Sequence, residues 1–269
     1  MPLDFDAPVR RNVDLGHGNF LIEFDAPEEI RTGMRPGQFF MIGIPGTEVL
    51  LRRPFSVCGL PGTFVGAGGD AVQVLYRVYG RATGLMAQLK PGAHLQVLGP
   101  LGNGFEPPAD AGATPVFVAG GIGSAAFPCF ATRLAAAGRR PVLLYGARSK
   151  GDLPLLDWFE GHCARTVVAT DDGSLGRKGL VTAALEELLA EEGPRPHLYA
   201  CGPTPMLKAV AKIAIAANVP CDLALEAPMA CGFGVCLGCV VPCHDGGGGV
   251  RYDRCCVEGP VMPASRLAW

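Results

Sequence analysis

The sequence predicts a multidomain protein in three parts: an antiparallel β-barrel, an α/β domain with a parallel sheet, and a small C-terminal domain rich in cysteine. Three patterns support this division. Short strands separated by Gly and Pro fill residues 1–107, and strands alternate with helices over 108–222. Residues 223–269 contain six of the eleven cysteines. Closely spaced short strands are typical of barrels, and strand–helix alternation is typical of parallel sheets.

The composition describes a globular chain with a redox or metal chemistry. The 269 residues are 49% hydrophobic, enough to form a sizeable core, and carry a net charge of −2. This charge gives the protein no electrostatic attraction for nucleic acid or anionic membranes. No segment has the pattern of a secretory signal or a membrane-spanning helix. Eleven cysteines in such a chain favour a reducing compartment, and we expect a cytoplasmic protein with no membrane or nucleic-acid partner.

In the first domain, two spots near strand ends could bind a phosphate and a ring system. The predicted strands are Asn19–Phe24, 38–42, 72–78 and 94–98. The run Arg52-Arg53-Pro54-Phe55-Ser56 offers a guanidinium, an aromatic face and a hydroxyl. Residues 80–84, after Tyr76-Arg77, read as a helix start with a threonine hydroxyl. Taken alone, each spot is more often a solvated surface or an ordinary helix cap.

The second domain is expected to bind a dinucleotide at the carboxyl ends of its strands. The pattern predicts strands at 115–119, 141–146, 166–170 and 197–200, and helices at 125–137, 155–163, 180–192 and 206–218. Gly120-Gly121-Ile122-Gly123 follows the first strand and can present N–H groups to a pyrophosphate. A single glycine loop is weak support, because tight strand–helix turns also use glycine for shape. A Cys-Gly-Pro run, residues 201–203, at a later strand end strengthens the prediction.

Charged residues near the third predicted strand bear on which dinucleotide binds. Asp171 and Asp172 could hydrogen-bond a ribose or repel a 2′-phosphate. A solvated loop would explain the same acidic residues. The residues that could instead attract a phosphate are Arg148, Lys150, Arg177 and Lys178. The acidic pair favours NAD over NADP.

The third domain has the thiol spacing of a plant-type [2Fe–2S] site, Cys231-x4-Cys236-x2-Cys239. Glycines at 232, 234 and 238 let a loop curl round a cluster and turn its N–H groups towards sulfur. A zinc site is the alternative, but it usually shows two close Cys or His pairs. For the fourth ligand, a hairpin with its tip at 244–249 would return Cys255 and Cys256 equally close to the loop.

Two motifs, in this order, resemble the ferredoxin–NADP reductase superfamily. The flavin motif Arg-x-(Tyr/Phe)-Ser matches residues 53–56, and the nicotinamide motif Cys-Gly-Pro-x-x-Met matches 201–206. The resemblance implies that the arginine binds the FAD pyrophosphate, the aromatic ring stacks on the isoalloxazine and the serine bonds near N5. The first glycine loop departs from the superfamily because Ser124-Ala125-Ala126 precede the proline. The implied FAD residues are Arg53, Pro54, Phe55, Ser56, Leu75, Tyr76, Arg77, Ala82 and Thr83, and the implied NAD residues are Gly120, Gly121, Gly123, Cys201, Gly202 and Met206.

Over its full length the chain resembles the electron-transfer subunits of NAD-dependent dihydroorotate dehydrogenases. The tail of that family ends its ligand set with Cys-(Lys)-(Asp/Glu)-Gly-Pro-Val-Phe, and here residues 256–262 read Cys-Val-Glu-Gly-Pro-Val-Met, with mild departures at Val257 and Met262. The resemblance therefore selects Cys256 over Cys255. The implied cluster ligands are Cys231, Cys236, Cys239 and Cys256.

This resemblance implies a relay in pyrimidine biosynthesis, with FAD and a [2Fe–2S] cluster as cofactors and NAD as co-substrate. A catalytic FMN-containing partner would oxidise dihydroorotate, and this chain would pass the electrons to NAD⁺. A dimer of heterodimers is the expected assembly. An alternative is the small subunit of a ferredoxin/NAD(P) transhydrogenase or a hydrogenase, which carries similar motifs. A zinc-stabilised binding module is a third possibility, from a different class.

Overall fold

The first domain is a nearly closed antiparallel barrel. A computed structural model of the chain describes residues 1–63, 71–193 and 195–269. The strands are numbered in the order in which they occur along the chain. The six-stranded sheet of the barrel has the spatial order β4-β3-β6-β1-β2-β5. These elements are β1 Leu3–Gly16, β2 Asn19–Phe24, α1 Glu28–Gly33, β3 Phe39–Gly43, β4 Arg53–Ser56, β5 Val72–Arg77, α2 Arg81–Met86 and β6 His94–Leu101.

The two edge strands of this sheet approach each other through aromatic side chains. Phe55 on β4 lies 6.1 Å from Tyr76 on β5, ring centroid to ring centroid. Apolar side chains such as Ile22, Phe24 and Phe40 fill the interior. Because β4 and β5 face one another at this gap, the barrel brings the two predicted flavin segments together.

The second domain is a parallel sheet with helices on both sides. Its strands are hydrogen-bonded in the order β10-β9-β8-β7-β11-β12-β15, and the last of them, β15 (Val261–Pro263), comes from the end of the chain. The elements that build it are β7 Thr114–Gly120, α3 Pro128–Ala136, β8 Val142–Ala147, α4 Leu156–His162, β9 Arg165–Thr170, β10 Arg177–Lys178, α5 Val181–Ala190, β11 Pro196–Cys201, α6 Thr204–Ala216 and β12 Cys221–Ala224. Strands β7 and β11 are neighbours, so the carboxyl ends that carry the glycine loop and the Cys-Gly-Pro run lie side by side.

The cysteine-rich segment is anchored in the second domain. A hairpin is formed by β13 Val240–His244 and β14 Val250–Arg254, as the sequence predicts. The chain then returns as β15 Val261–Pro263 and pairs antiparallel with β12. The domain boundary expected after residue 222 falls within β12. The last strand of the cysteine-rich segment is thus part of the nucleotide-domain sheet.

The helix expected over 125–137 begins later than the sequence indicates. Residues Gly121–Ala126 form a 3-10 helix, and α3 begins at Pro128. A proline fits the first turn of a helix because it lacks an N–H to satisfy, which explains this start.

Within the described residues, no helix combines the length and apolar character needed to cross a bilayer.

Candidate functional site

A cleft of about 1620 Å³ opens between the barrel and the α/β domain. All fifteen residues that the sequence assigned to the FAD and NAD sites line this cleft. The barrel contributes the ends of β4 and β5 and the start of α2. The α/β domain contributes the carboxyl ends of its parallel strands, where ligands usually bind in such sheets. The structure therefore brings the two predicted sites into one continuous space.

Arg53 is the cleft arginine whose positive charge is least engaged by protein. Its Nη1 donates to the carbonyl oxygens of Leu51 and Arg52, at 2.7 and 3.3 Å. By contrast, Arg81 pairs with Glu48 and Arg77 pairs with Asp152. In the described part of the chain no carboxylate pairs with Arg53, so its guanidinium is available to an anionic ligand such as a pyrophosphate.

A short aromatic ladder supports the barrel wall of the cleft. Phe55 meets Tyr76 edge to face, at an interplanar angle of 74°. Tyr76 in turn stacks on Phe20 at 5.6 Å and donates its hydroxyl to Asn12 Oδ1 at 3.1 Å. Burial raises the pKa of Tyr76 to about 12, so the phenol stays neutral and structural. The ladder holds Phe55 in place at the edge of the cleft.

Glycine is required where the two nucleotide loops touch. A Cβ on Gly120 would lie 2.7 Å from Met206 Sδ, and one on Gly202 would lie 2.6 Å from Met206 Cε. A Cβ on Gly123 would lie 2.5 Å from the carbonyl oxygen of Cys201. Any side chain at these positions would force the loops apart. The two motifs recognised in the sequence are thus halves of one packed surface.

Buried hydroxyl groups fix the shape of the first glycine loop. The Tyr145 hydroxyl donates to the Pro154 carbonyl at 2.9 Å, and its oxygen lies at hydrogen-bond distance, 2.8 Å, from Ser124 Oγ. Tyr145 and Ser124 are both fully buried. The serine that departs from the superfamily pattern is therefore a structural part of the loop, bonded to the next strand.

The far end of the cleft carries an acidic and a basic side chain. Asp171 and Arg148 both line the cleft there. Asp172 points away from it, because its Oδ1 accepts hydrogen bonds from Ser174 N and Ser174 Oγ at 2.9 and 2.6 Å. Arg177 is paired with Glu187. Of the charged residues weighed from the sequence, Asp171 and Arg148 are the two that line the cleft.

Backbone N–H groups converge on the four candidate thiols of the cysteine loop. Gly238 N and Cys256 N lie 3.5 Å from Cys236 Sγ and Cys239 Sγ respectively. Burial would raise the pKa of Cys231, but backbone N–H groups, first those of Cys236 and Phe233, lower it to about 6. Such N–H donors stabilise negative sulfur, as a cluster ligand requires. The donor set fits an iron–sulfur cluster.

The two adjacent cysteines near the end of the chain are both buried and both lie near Cys239, but their sulfur atoms have different hydrogen-bond partners. Burial and then the neighbouring Cys239 raise the pKa of Cys256 to about 12, while the Gly234 N–H acts in the opposite sense. Cys256 is thus surrounded by the other thiols and by the loop that carries them. Cys255 is fully buried, and its Sγ donates to the Leu225 carbonyl at 3.7 Å. This difference favours Cys256 as the fourth ligand.

Within the described residues, no three His, Cys, Asp or Glu side chains form a site for a single metal ion.

The cysteine loop lies on the barrel next to the cleft. Gly232, at φ +82°, packs so closely that a Cβ there would lie 2.4 Å from Met41 Cγ and 3.2 Å from Leu101 Cδ1. Leu225 and Met229, which lead into the loop, line the cleft itself. The loop therefore contacts the barrel wall and approaches the cleft from the nucleotide domain.

Comparison with known proteins agrees with this arrangement. The iron–sulfur cluster binding domain of dihydroorotate dehydrogenase B matches residues 226–268, and the oxidoreductase NAD-binding domain matches residues 117–212. An electron transfer subunit of dihydroorotate dehydrogenase B (NAD(+)) from Desulforamulus reducens is 35% identical over 98% of both chains. One from Caldanaerobacter subterraneus is 39% identical over 86% of both chains. The chain belongs to this family.

Solved structures place the family within a wider fold group. One neighbour is the structure of an NADH-dependent reduced ferredoxin-NADP oxidoreductase, which was studied for flavin-based electron bifurcation. It superposes with a TM-score of 0.81 at 29% identity, over 98% of this chain and 90% of that chain. A ferredoxin NADP⁺ reductase from Neisseria gonorrhoeae with bound FAD and NADP superposes with a TM-score of 0.67 at 17% identity, over 80% of this chain and 92% of that chain, and shares the fold. The barrel and the α/β domain are thus a shared scaffold.

Sequence reasoning missed two acidic residues of the cleft. Glu226 is the second residue after β12 and lines the cleft, where burial in the surrounding protein raises the pKa of its carboxyl. Asp152 lies in the turn after β8 and also lines the cleft. The signal for both was present, because each carboxylate follows a strand of a parallel sheet, where Asp171 was recognised.

Exchanging the two adjacent cysteines for serine tests the ligand assignment. We expect the Cys256→Ser protein to contain neither iron nor acid-labile sulfide, because serine cannot supply the fourth thiolate ligand of the cluster. We expect Cys255→Ser, the matched control, to retain both, because its side chain bonds the Leu225 carbonyl. Iron and sulfide analysis with visible absorption makes the measurement. An iron-free Cys255→Ser beside an iron-loaded Cys256→Ser would reverse the assignment.

Proposed function

We propose that this chain is the electron-transfer subunit of an NAD-dependent dihydroorotate dehydrogenase in pyrimidine biosynthesis. In this role an FMN-containing catalytic subunit oxidises dihydroorotate, and the electrons cross the [2Fe–2S] cluster and FAD of this chain to reach NAD⁺. We place the assembly in the cytoplasm as a dimer of heterodimers. All eleven cysteines of the chain are free, which suits a reducing compartment.

One observation carries the proposal: the cysteine loop and both nucleotide walls meet around a single cleft. Gly232 of the loop packs on barrel strand β3, and Leu225 lines the cleft beside the glycine loops. A bound flavin exchanges a hydride with nicotinamide and single electrons with an iron–sulfur cluster, so it couples the two kinds of transfer. The geometry supports a flavin between cluster and nicotinamide.

The chain's own residues would bind and orient both nucleotides. Arg53, which has no carboxylate partner among the described residues, would neutralise the FAD pyrophosphate, and Phe55 would cover the flavin ring. Ser56 would donate its hydroxyl near N5. Across the cleft, the loop at 120–123 would approach the NAD pyrophosphate, and Cys201 would flank the nicotinamide. Burial raises the pKa of Cys201, so this thiol remains protonated and apolar in character.

Asp171 favours NAD over NADP as the electron acceptor. Its carboxylate lines the cleft at the end of β9 and could accept a hydrogen bond from a ribose hydroxyl. A 2′-phosphate at the same place would meet a like charge. Arg148, the neighbouring cation, is drawn towards Asp152, whose Oδ2 lies 3.6 Å from Arg148 Nε.

Exposed apolar side chains on the cysteine loop and on the hairpin that follows it would seat the catalytic subunit. We define this cluster-side patch as Phe233, Val235, Leu237, Val250 and Tyr252, whose residues are 52–74% exposed. Apolar side chains this exposed favour a protein partner over water. Electrons enter through the cluster, so the donor must approach the loop that holds it. The occupant is therefore the FMN-containing subunit.

A second candidate function rests on the structural comparison. The flavin-based bifurcating NADH-dependent reduced ferredoxin-NADP oxidoreductase matches 98% of this chain at 29% identity. The small subunit of a ferredoxin/NAD(P) transhydrogenase would use the same cleft and cluster. The two candidates differ in the protein that occupies the cluster-side patch, which the partner experiment below identifies.

Removing the charge of Asp171 should relax the nucleotide preference. We expect Asp171→Ala to raise the ratio of NADPH to NADH efficiency about tenfold, because like-charge repulsion of the 2′-phosphate disappears. Flavin reduction by each nucleotide under anaerobic conditions measures it. Asp172→Ala is the matched control, since that carboxylate is bonded to Ser174 outside the cleft. Equal effects of both substitutions would remove Asp171 from the site.

Mixing the chain with a candidate catalytic subunit tests the function itself. We expect dihydroorotate-dependent NADH formation and a stable complex on gel filtration. Val235→Glu should abolish the complex while retaining iron and FAD, because it buries a charge in the patch. Ile215→Glu, at a position of α6 that is 57% exposed, should behave as wild type. Formation of NADH only with a large ferredoxin-dependent subunit would favour the transhydrogenase, and full activity of Val235→Glu would exclude the patch.

A further inference from the structure

One end of the cleft is closed by a seam between the barrel and the turn after β8. From the barrel come His17, Asn19 and Arg77, and from the α/β domain comes the 3-10 turn Lys150–Asp152. Asn19 Nδ2 donates to the Gly151 carbonyl at 3.5 Å. A Cβ on Gly151 would lie 2.5 Å from His17 Nδ1, so the turn lies flat against the barrel.

The strongest polar contact of this seam is the ion pair between Arg77 and Asp152. The two side chains are 17% and 12% exposed, which shields the pair from water. Ser149 Oγ donates to Asp152 Oδ2 at 3.2 Å and so steadies the carboxylate. Burial alone would raise the pKa of Asp152, but the hydrogen bond and charge of Arg77 outweigh it and lower the pKa. The carboxylate is therefore ionised at neutral pH and holds Arg77.

The pair connects the two walls that must face each other. Arg77 ends β5 in the barrel, Asp152 follows β8 in the nucleotide domain, and both line the cleft. Apolar contacts also join the two domains, among them that of Leu21 and Leu75 with Ile122 and Ala125. Apolar burial resists separation but has no direction. A shielded, charge-assisted hydrogen bond adds a defined geometry.

We propose that the Arg77–Asp152 pair is an interdomain clamp that sets the approach of the nicotinamide wall to the flavin wall. Asp152 is then a positioning residue for hydride transfer. The expected effect of the clamp on the rate rests on the proposed function, because only hydride transfer requires the donor and acceptor to lie within a narrow range of distance and angle. A displacement near 1 Å can slow such a step by about a hundredfold.

Asp152→Asn tests the clamp, because it removes the charge and keeps the size of the side chain. In the holo-chain we expect the rate constant of flavin reduction by NADH to fall about tenfold or more, with FAD and iron content unchanged. The control is Glu187→Gln, which breaks the Arg177–Glu187 pair within the α/β domain. It should keep the wild-type rate. A wild-type rate in Asp152→Asn, or an equal loss in the control, would overturn the proposal.

Amide hydrogen exchange gives a readout that does not depend on NADH. We expect faster exchange at residues 16–19 and 150–152 in Asp152→Asn, and unchanged exchange in the barrel strands β3 and β6. Unchanged exchange at the seam, or loss of FAD without any change there, would contradict the clamp. Should the wild-type flavin resist reduction by NADH, the proposed function would fail, and the exchange measurement would still decide the clamp.

Discussion

The arrangement depends on the close contact between the cysteine loop and the barrel. Gly232 allows it, because a Cβ at this position would lie 2.4 Å from Met41 Cγ. Its φ of +82° is also a conformation that glycine adopts without strain. Through this contact the candidate cluster site lies against the barrel that forms one wall of the cleft. Without it, the cysteine loop would be held by the nucleotide domain alone, with no contact to the barrel wall through Gly232.

The three parts divide the chemistry by what each can hold. The barrel offers the guanidinium of Arg53, which pairs with no carboxylate in the described part of the chain, and a supported aromatic ring. The α/β domain offers two glycine loops packed so tightly that Gly120 and Gly202 both contact Met206. The cysteine loop supplies sulfur surrounded by N–H donors. Because β15 joins the nucleotide-domain sheet and Gly232 rests on the barrel, the third part joins the other two.

Much of this could be predicted from the sequence, because the motifs are local. Strand β2 has the predicted bounds, and the hairpin after Cys239 is confirmed. Strand β1 was missed although Leu3, Phe5, Ala7 and Val9 alternate along it, because Pro8 interrupts the run and a proline inside a run argues against a strand. The Arg77–Asp152 pair was not predictable, since it joins residues 75 positions apart through domain packing. Spacing left Cys255 and Cys256 equal, and only the family tail and the hydrogen-bond partners of the two thiols separate them.

The central claim is that this chain joins a two-electron and a one-electron carrier. Anaerobic reductive titration of the purified chain, followed by absorption, tests it most directly. The account predicts uptake of three electrons per chain, two by flavin and one by the cluster, and two electrons in Cys256→Ser. A chain that takes up no electrons, or a Cys256→Ser variant that takes up as many as wild type, would contradict it.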